Sequence, residues 1–328
     1  TAMALRINPA KLLLWRNPTD LQIGLDDPLI FEGVTENQER LLSLLERGVA
    51  DDALETTETQ LLERLTPVLL RNSQITKPAL SGEFIRGAFA ELIRASFATN
   101  LDGIAVLEAR ARVTVHLDSL GAGGFLIALG LASAGIGRVL TSDSALVGEH
   151  DVSPLAYPSE AKGQSRVAAL NQVLRARPGE MKVELYDSLT EAKRRHKLRV
   201  ITAQNALHPS SHVNLRLKSV PHIAALFGSR WVSVSPRITQ SPCLSCLDLH
   251  NTDADPLWPT LASQLVGRVE YLEDARSALF AASMVVGEIV RAIDTPTAEA
   301  EFVGHRLDVA SGRIEEWSWP RHPECDCG

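Results

Sequence analysis

The second part of the chain alternates short apolar runs with amphipathic stretches. Residues 113–117 and 138–141 predict strands, and a small-residue stretch ending near Gly135 predicts a helix between them. This order makes a βαβ unit, in which the two strands are parallel. Further apolar runs predict a helix near 162–175, strands near 182–186, 198–202 and 231–235, and a helix over 274–293. The pattern predicts an α/β fold with a doubly wound, mostly parallel sheet.

The first hundred residues follow a different pattern. Residues 11–25 predict a hairpin, and leucine-rich stretches over 36–47 and 58–71 predict two helices. A hairpin with short helices is typical of a winged-helix-like module, although helices that only cover the second domain would give the same pattern. We therefore expect an N-terminal winged-helix-like module over 1–100 and a second domain over 105–328.

Composition excludes several classes of protein. Of the 328 residues, 45% are hydrophobic and 22% are charged, so the chain is expected to form a folded core. A net charge of −7 makes nucleic acid an unexpected partner. No apolar run reaches the roughly 20 residues that span a bilayer, and the first residues lack the zones of a signal peptide. We expect a cytoplasmic protein without a membrane partner, and we set aside Thr1 and Ala2, which precede Met3, as an added or trimmed start.

A glycine turn separates the first predicted strand of the βαβ unit from its helix. Gly121, Gly123 and Gly124 would let backbone N–H groups face a phosphate at the start of the helix. Asp143 follows the next strand, at roughly the 20-residue offset where an acidic side chain meets a ribose hydroxyl. Leu126 occupies the place of the third glycine of the dinucleotide pattern. These residues are candidates for cofactor binding, although a turn without a nucleotide fits them about as well.

Cysteines occur only as two close pairs. The pairs are Cys243 with Cys246 and Cys325 with Cys327. Two such thiolate pairs can complete a tetrahedral zinc site, and each pair is too short for a comfortable structural disulfide. Free thiols or a redox pair are the alternative. His250 and His322 are near the pairs, but surface or capping histidines are commoner, so we predict structural Zn²⁺ on the four cysteines alone.

The glycine turn, the helix end in residues 131–138 and Asp143 together resemble the ThiF family of ubiquitin-activating-like adenylyltransferases. The resemblance covers roughly residues 111–246. It implies a Rossmann-like ThiF fold that binds ATP and magnesium and adenylates the C-terminus of a small protein or peptide. It also implies a homodimer with composite ATP sites and a zinc ion held by two cysteine pairs.

Several family positions are changed in this chain. Where relatives carry an arginine loop for the triphosphate, residues 151–155 contain no arginine. Where relatives carry a lysine, Arg166 keeps only the charge, and it completes the predicted cofactor-binding set. Gln204 stands where relatives carry a magnesium-binding aspartate, and a neutral amide is a poor magnesium ligand. We therefore expect no catalytic residues, no adenylation by this chain alone, and no secure ATP or Mg²⁺ cofactor.

A narrower resemblance involves residues 241–250, 255–259 and 322–328. These motifs are similar to the ThiF-like partner proteins of azoline-forming cyclodehydratases. The resemblance implies a pseudoenzyme that binds the leader part of a precursor peptide on its N-terminal module, as an added strand, and presents it to a YcaO-type enzyme. The alternatives are an active adenylyltransferase rescued by Arg237 or by an arginine of a second subunit, and a nucleotide-sensing scaffold.

Overall fold

A computed structural model of the chain describes residues 4–50, 58–72, 78–186, 198–208, 213, 219–266, 268, 270–296 and 302–327. The chain divides into two compact units, Thr1–Arg110 and Ala111–Gly328. Among the described residues, no helix combines the length and the apolar character needed to cross a membrane.

Within its described residues, the first unit contains two small antiparallel sheets and five α-helices. In chain order its elements are β1 (Ala4–Ile7), β2 (Leu13–Trp15), β3 (Leu21–Ile23), β4 (Leu29–Phe31), α1 (Glu36–Arg47), β5 (Val49–Ala50), α2 (Thr59–Leu65), β6 (Leu69–Arg71), α3 (Gly82–Gly87), α4 (Phe89–Thr99) and α5 (Gly103–Arg110). One sheet has the order β5-β1-β6 and the other has the order β2-β3-β4. The hairpin predicted over 11–25 is therefore β2 and β3. The winged-helix character of this unit stays a prediction.

Local chemistry explains where the helices of the first unit begin and end. Thr35 and Gln38 form a reciprocal capping box at the start of α1, which has the predicted bounds. The predicted helix over 58–71 is wrong beyond α2. Pro67 lies in a short 3₁₀ turn after α2, and the chain then becomes extended as β6. Because proline has no backbone N–H, it disfavours a continued α-helix.

The second unit is built on one eight-stranded sheet. In chain order its elements are β7 (Thr114–Leu117), α6 (Ala122–Ser133), β8 (Arg138–Thr141), α7 (Arg166–Arg175), β9 (Lys182–Leu185), β10 (Leu198–Gln204), β11 (His222–Phe227), β12 (Trp231–Val234), α8 (Leu244–Ala254), α9 (Trp258–Leu265), α10 (Ala275–Asp294), β13 (Gly304–Asp308) and β14 (Ile314–Trp317). The sheet order is β14-β13-β12-β11-β10-β7-β8-β9. The five strands from β11 to β9 are parallel, and the remaining pairs are antiparallel. The predicted mixed α/β fold with a mostly parallel sheet is confirmed.

The main core of this unit lies where α6, α7 and α10 pack on the sheet. Its fully buried residues include Val115, Leu117 and Val200 from the central strands. Gly130 lets α6 approach α10 closely, since a Cβ there would lie 2.8 Å from Val286. This packing holds the carboxyl ends of β7, β8 and β10 along one edge of the sheet, which is where open parallel sheets bind ligands.

Candidate functional site

The glycine turn joins β7 to α6 and is fixed by close packing. A Cβ on Gly124 would lie 1.9 Å from the carbonyl oxygen of Ser119, and one on Gly123 would lie 2.5 Å from Cζ of Phe227. No side chain fits at such distances, so the fold itself requires these two glycines. Tyr157 also holds the turn in place, because its buried hydroxyl donates a hydrogen bond to the carbonyl oxygen of Leu120 at 2.9 Å. Burial raises the pKa of Tyr157 well above its ordinary value, so this hydroxyl stays protonated.

A carboxylate of the same chain lies at the start of α6. The N–H of Gly123 donates to Oε2 of Glu273 at 2.6 Å, and Nε2 of Gln204 lies 3.4 Å from Oε1 of Glu273. The N-terminus of a helix attracts anions through its unpaired N–H groups and its dipole. The Glu273 carboxylate therefore occupies the kind of position that a nucleotide phosphate takes in a glycine-turn site.

Asp143 and Arg166, both predicted as cofactor-binding residues, bind each other instead. Nη1 of Arg166 lies 3.0 Å from Oδ2 of Asp143, and the same guanidinium makes two-point contact with Asp151 at 2.7 and 3.1 Å. The side chains of Asp143, Asp151 and Arg166 are 7%, 11% and 19% exposed. One guanidinium thus pairs with two largely buried carboxylates, so that all three charged side chains are engaged with one another.

Asp143 also accepts hydrogen bonds from the backbone. Its carboxylate accepts the N–H of Leu120 at 2.7 Å and the N–H of Ala145 at 2.8 Å. Burial pushes the pKa of Asp143 upward, but these two hydrogen bonds and Arg166 outweigh it and hold the pKa below its ordinary value. Asp143 is therefore ionised and ties the glycine turn to the end of β8, with its oxygens already engaged.

A cleft of about 450 Å³ opens beside these groups. Gly121, Arg166 and Gln204 line it, and its wall also carries the carboxylates Asp151, Glu273 and Asp274. The predicted rescue residue Arg237 is not among its lining residues, and its side chain pairs with Glu288 at 3.3 Å. A second arginine, Arg268, also lines the cleft. The cleft therefore combines the expected glycine turn with three carboxylates and two arginines, and one of these arginines, Arg166, is already paired.

The four predicted zinc ligands come together at a second place in the same unit. Cys243 and Cys246 lie at the start of α8, and Cys325 and Cys327 come from the C-terminal segment. All four are buried, and their sulfur atoms lie within 4.8 Å of one another. Trp319 donates from Nε1 to the carbonyl oxygen of Cys243 at 2.9 Å and so ties the two segments together.

The sulfur geometry fits a tetrahedral ion. Sulfurs at the usual Zn–S distance of about 2.3 Å lie about 3.8 Å apart across a tetrahedral zinc. The pairs from Cys243 to Cys246 and from Cys243 to Cys325 are 3.9 and 3.7 Å apart, and the pair from Cys246 to Cys327 is 3.3 Å apart. Burial raises the pKa of Cys243 and Cys325, so a bound cation is what would make these two thiolates stable here. The cluster could hold a metal ion such as zinc.

The nearby histidines belong to a separate group. Nε2 of His322 contacts Asp253 at 2.9 Å, and Nε2 of His250 contacts the carbonyl oxygen of Pro320 at 3.0 Å. The four cysteine sulfurs form a four-ligand cluster without either histidine.

Two residues of the cleft were not identified from the sequence as site residues. Glu273 is 150 positions from Gly123, and only the tertiary fold brings them together. Its one local signal is the acidic run around residues 270–274 directly before a long helix. Asp151 was noted only as a position without arginine, whereas its carboxylate holds Arg166.

Comparison with known proteins gives structural likeness alone. No protein-family model matches the sequence, and no curated protein matches it significantly. The solved structure of PaaA aligns with a TM-score of 0.67 and 18% identity, covering 94% of this chain and 98% of PaaA. E. coli MccB with ATP and the microcin C7 biosynthetic enzyme MccB in complex with N-formylated MccA each align with a TM-score of 0.65 and 14% identity, covering 99% of both chains. The chain therefore has the ThiF-like fold of the ubiquitin-activating-like adenylyltransferases.

Proposed function

We propose that this chain is a catalytically degenerate ThiF-like protein that binds a peptide or protein substrate and presents it to a partner enzyme. The observation that carries the proposal is the Glu273 carboxylate on the N–H of Gly123. An ATP phosphate that bound the glycine turn would have to displace this carboxylate and would then meet Asp151 and Asp274 across the cleft. The one cation that the resemblance assigns to the phosphates, Arg166, already binds two carboxylates.

The chemistry of adenylation also supports the proposal that this chain is catalytically degenerate. Nucleotidyl transfer depends on positioning and on cations that stabilise phosphate charge. Gln204 offers no carboxylate for magnesium, and its amide is engaged with Glu273 and with the N–H of Glu270. The cluster of four cysteines would hold structural zinc and leave no cysteine for a thioester. A protein of this kind keeps the fold and its structural metal while its nucleotide chemistry is lost.

Peptide recognition is assigned to the first unit, on the open edge of β2. Gly24 donates its N–H to Leu12, and Arg16 donates its N–H to Asp20. Because hydrogen-bonded pairs alternate along an antiparallel ladder, the backbone groups of Leu13 and Trp15 point away from β3. Within the described residues β2 is an edge strand.

Apolar side chains beside this edge favour an extended peptide as the ligand. Leu12 is 54% exposed and Trp15 is 46% exposed. An added strand would gain main-chain hydrogen bonds from the β2 edge and side-chain contacts from these two residues. The solved MccB structures include one with N-formylated MccA, which supports a binding role for this architecture. The partner enzyme would be of the YcaO type, and the protein would act as a homodimer.

Fluorescence anisotropy with the protein and labelled candidate precursor peptides tests this assignment. W15A should weaken binding by removing the exposed ring. W15P also removes the outward N–H and should weaken binding about fivefold further, the equivalent of one net hydrogen bond of about 1 kcal/mol. F89A is the matched control, because Phe89 is an aromatic residue of the same unit that is 65% exposed. Equal binding by W15A, W15P and F89A would refute recognition at the β2 edge.

A further inference from the structure

Three polar side chains form a row at the carboxyl edge of the parallel sheet, apart from the glycine turn. Oγ of Ser142 lies 3.2 Å from Nε2 of His116, and Nδ1 of His116 lies 3.1 Å from Oδ1 of Asp118. His116 belongs to β7 and Asp118 follows that strand, while Ser142 directly follows β8. The parallel register of β7 and β8 pairs His116 with Leu140 and so brings Ser142 to the imidazole.

The order of these groups is the order of a nucleophile, a base and a residue that orients the base. Nδ1 of His116 lies within ion-pair distance of Asp118 but lacks the geometry of a hydrogen bond to it. The negative charge of Asp118 favours a proton on Nδ1, and that tautomer leaves the lone pair of Nε2 facing the Ser142 hydroxyl. Nε of Arg199 lies 2.7 Å from the same Oδ1 of Asp118 and holds the carboxylate in place. The imidazole thus has a carboxylate beside Nδ1 and a hydroxyl beside Nε2.

The base of this row is buried and its hydroxyl is exposed, as nucleophilic attack on a reagent from solvent requires. His116 is 1% exposed, whereas Ser142 is exposed. A hydroxyl that only completed a buried hydrogen-bond chain would be buried with its partner. Here the hydroxyl can meet a reagent from solvent, while its base is shielded from competing water.

An apolar wall stands beside the row. The N–H of Tyr186 donates to the carbonyl oxygen of Thr141, the residue before Ser142, at 2.8 Å. The Tyr186 ring packs edge-on against His116 with their centroids 5.2 Å apart, and the side chain is 41% exposed. This ring is placed to contact an apolar group attached to an electrophile at Ser142.

We propose that Ser142 is a nucleophile that accepts an acyl group from an activated ester with an apolar acyl part. His116 is the general base, and Asp118 is its positioning residue. Oγ of Ser142 forms a bond to the carbonyl carbon as its proton moves to Nε2 of His116, and the bond to the leaving alkoxide breaks as that oxygen takes the proton. Water then repeats the sequence, so the acid is released and Ser142 is restored. This activity is independent of peptide presentation and does not rest on it.

Labelling with an alkyl fluorophosphonate, followed by intact mass and peptide mapping, tests the proposal on the full-length chain. The wild type should take up one probe at Ser142, and S142A should take up none. S144A is the control, because Ser144 is an exposed serine two positions away and should leave labelling unchanged. H116Q should slow labelling by about 10²-fold or more, the scale of general-base catalysis.

D118N separates positioning from folding. It should lower the maximal labelling rate and leave the half-saturating probe concentration unchanged, which a merely structural defect would not do. The proposal is overturned if the wild type stays unlabelled where a serine hydrolase reacts, or if S142A labels as fast as S144A. Because Ser142 is exposed, S142A and S144A remain comparable even if the buried substitution in H116Q impairs folding.

Discussion

Replacing Glu273 by alanine removes the carboxylate from the start of α6 and opens the glycine turn to other anions. The lost contact is a charge-assisted hydrogen bond of 2.6 Å from the N–H of Gly123. Hydrogen bonds to charged groups contribute about 1.5–3 kcal/mol, and an anion at a helix N-terminus contributes about 0.3–1 kcal/mol. Because Glu273 is only partly buried, the lower end applies, and we expect E273A to lose about 1–2 kcal/mol of unfolding free energy.

Thermal unfolding measures this loss. For a unit of this size the expected decrease in Tm is about 3–6 °C. Pyrophosphate should then stabilise E273A, because the freed N–H groups accept an anion, and at ten times its Kd it restores about 1.4 kcal/mol. The wild type should show no such response. E180Q, at an exposed glutamate, is the control and should behave as the wild type. An E273A variant with an unchanged Tm and no stabilisation by pyrophosphate would show that Glu273 does not occupy an anion site at the start of α6.

Three further predictions concern the metal cluster, the ion network and the glycine turn. C246S should reduce bound zinc from about one per chain, as measured by elemental analysis, and should lower the Tm, whereas the control S245A should keep the metal. Full zinc retention in C246S would contradict the assignment of Cys246 as a ligand. R166M should cost about 3 kcal/mol in urea unfolding at pH 7, because it leaves Asp143 and Asp151 without their guanidinium, whereas R177M at an exposed arginine should cost little. Because the pKa of Asp143 is lowered, its contribution to stability is present above the ordinary carboxyl pKa of about 3.9 and is lost as pH falls through the folded-state value. The R166M defect should therefore persist down to about pH 4 and shrink below it, and a defect that is independent of pH would contradict the network. G124A should lower the free energy of unfolding by about 3 kcal/mol or more, because its Cβ would clash with the carbonyl oxygen of Ser119. G287A in α10 has open space around it and should be neutral or stabilising, and equal effects of the two variants would show that the turn is not fixed by packing.

Hydrophobic periodicity predicted the helices and strands that have a clear pattern of apolar and polar positions in their own sequence. The strand over 138–141 has the predicted bounds, and the long helix over 274–293 is shifted by only one residue at each end. The helices α3, α4 and α5 were missed because their apolar faces are short and weakly periodic. The strand β11 was missed because HIAALF is a continuous apolar run, buried along its length, which has no alternation to distinguish it from a helix segment.

In the candidate site, too, the sequence predicted features with a local pattern and missed contacts that depend on the tertiary fold. The cysteine cluster could be anticipated because thiolate spacing carries its own chemistry, and the structure brings all four sulfurs together. Asp143 and Arg166 were found as residues but not as partners, since their contact depends on Asp151 and on the fold. The contact between Glu273 and Gly123 was not predicted, because the acidic run around residues 270–274 does not indicate a contact with a glycine 150 positions away.

We propose that this chain keeps the ThiF-like fold and has lost nucleotide chemistry. ATP–pyrophosphate exchange, measured on full-length protein with one zinc per chain, with magnesium and with and without precursor peptide, tests that claim most directly. We expect exchange at the level of a no-enzyme blank, with peptide binding retained in the same preparation. Exchange above the blank that depends on the protein and is reduced in R166M would contradict it.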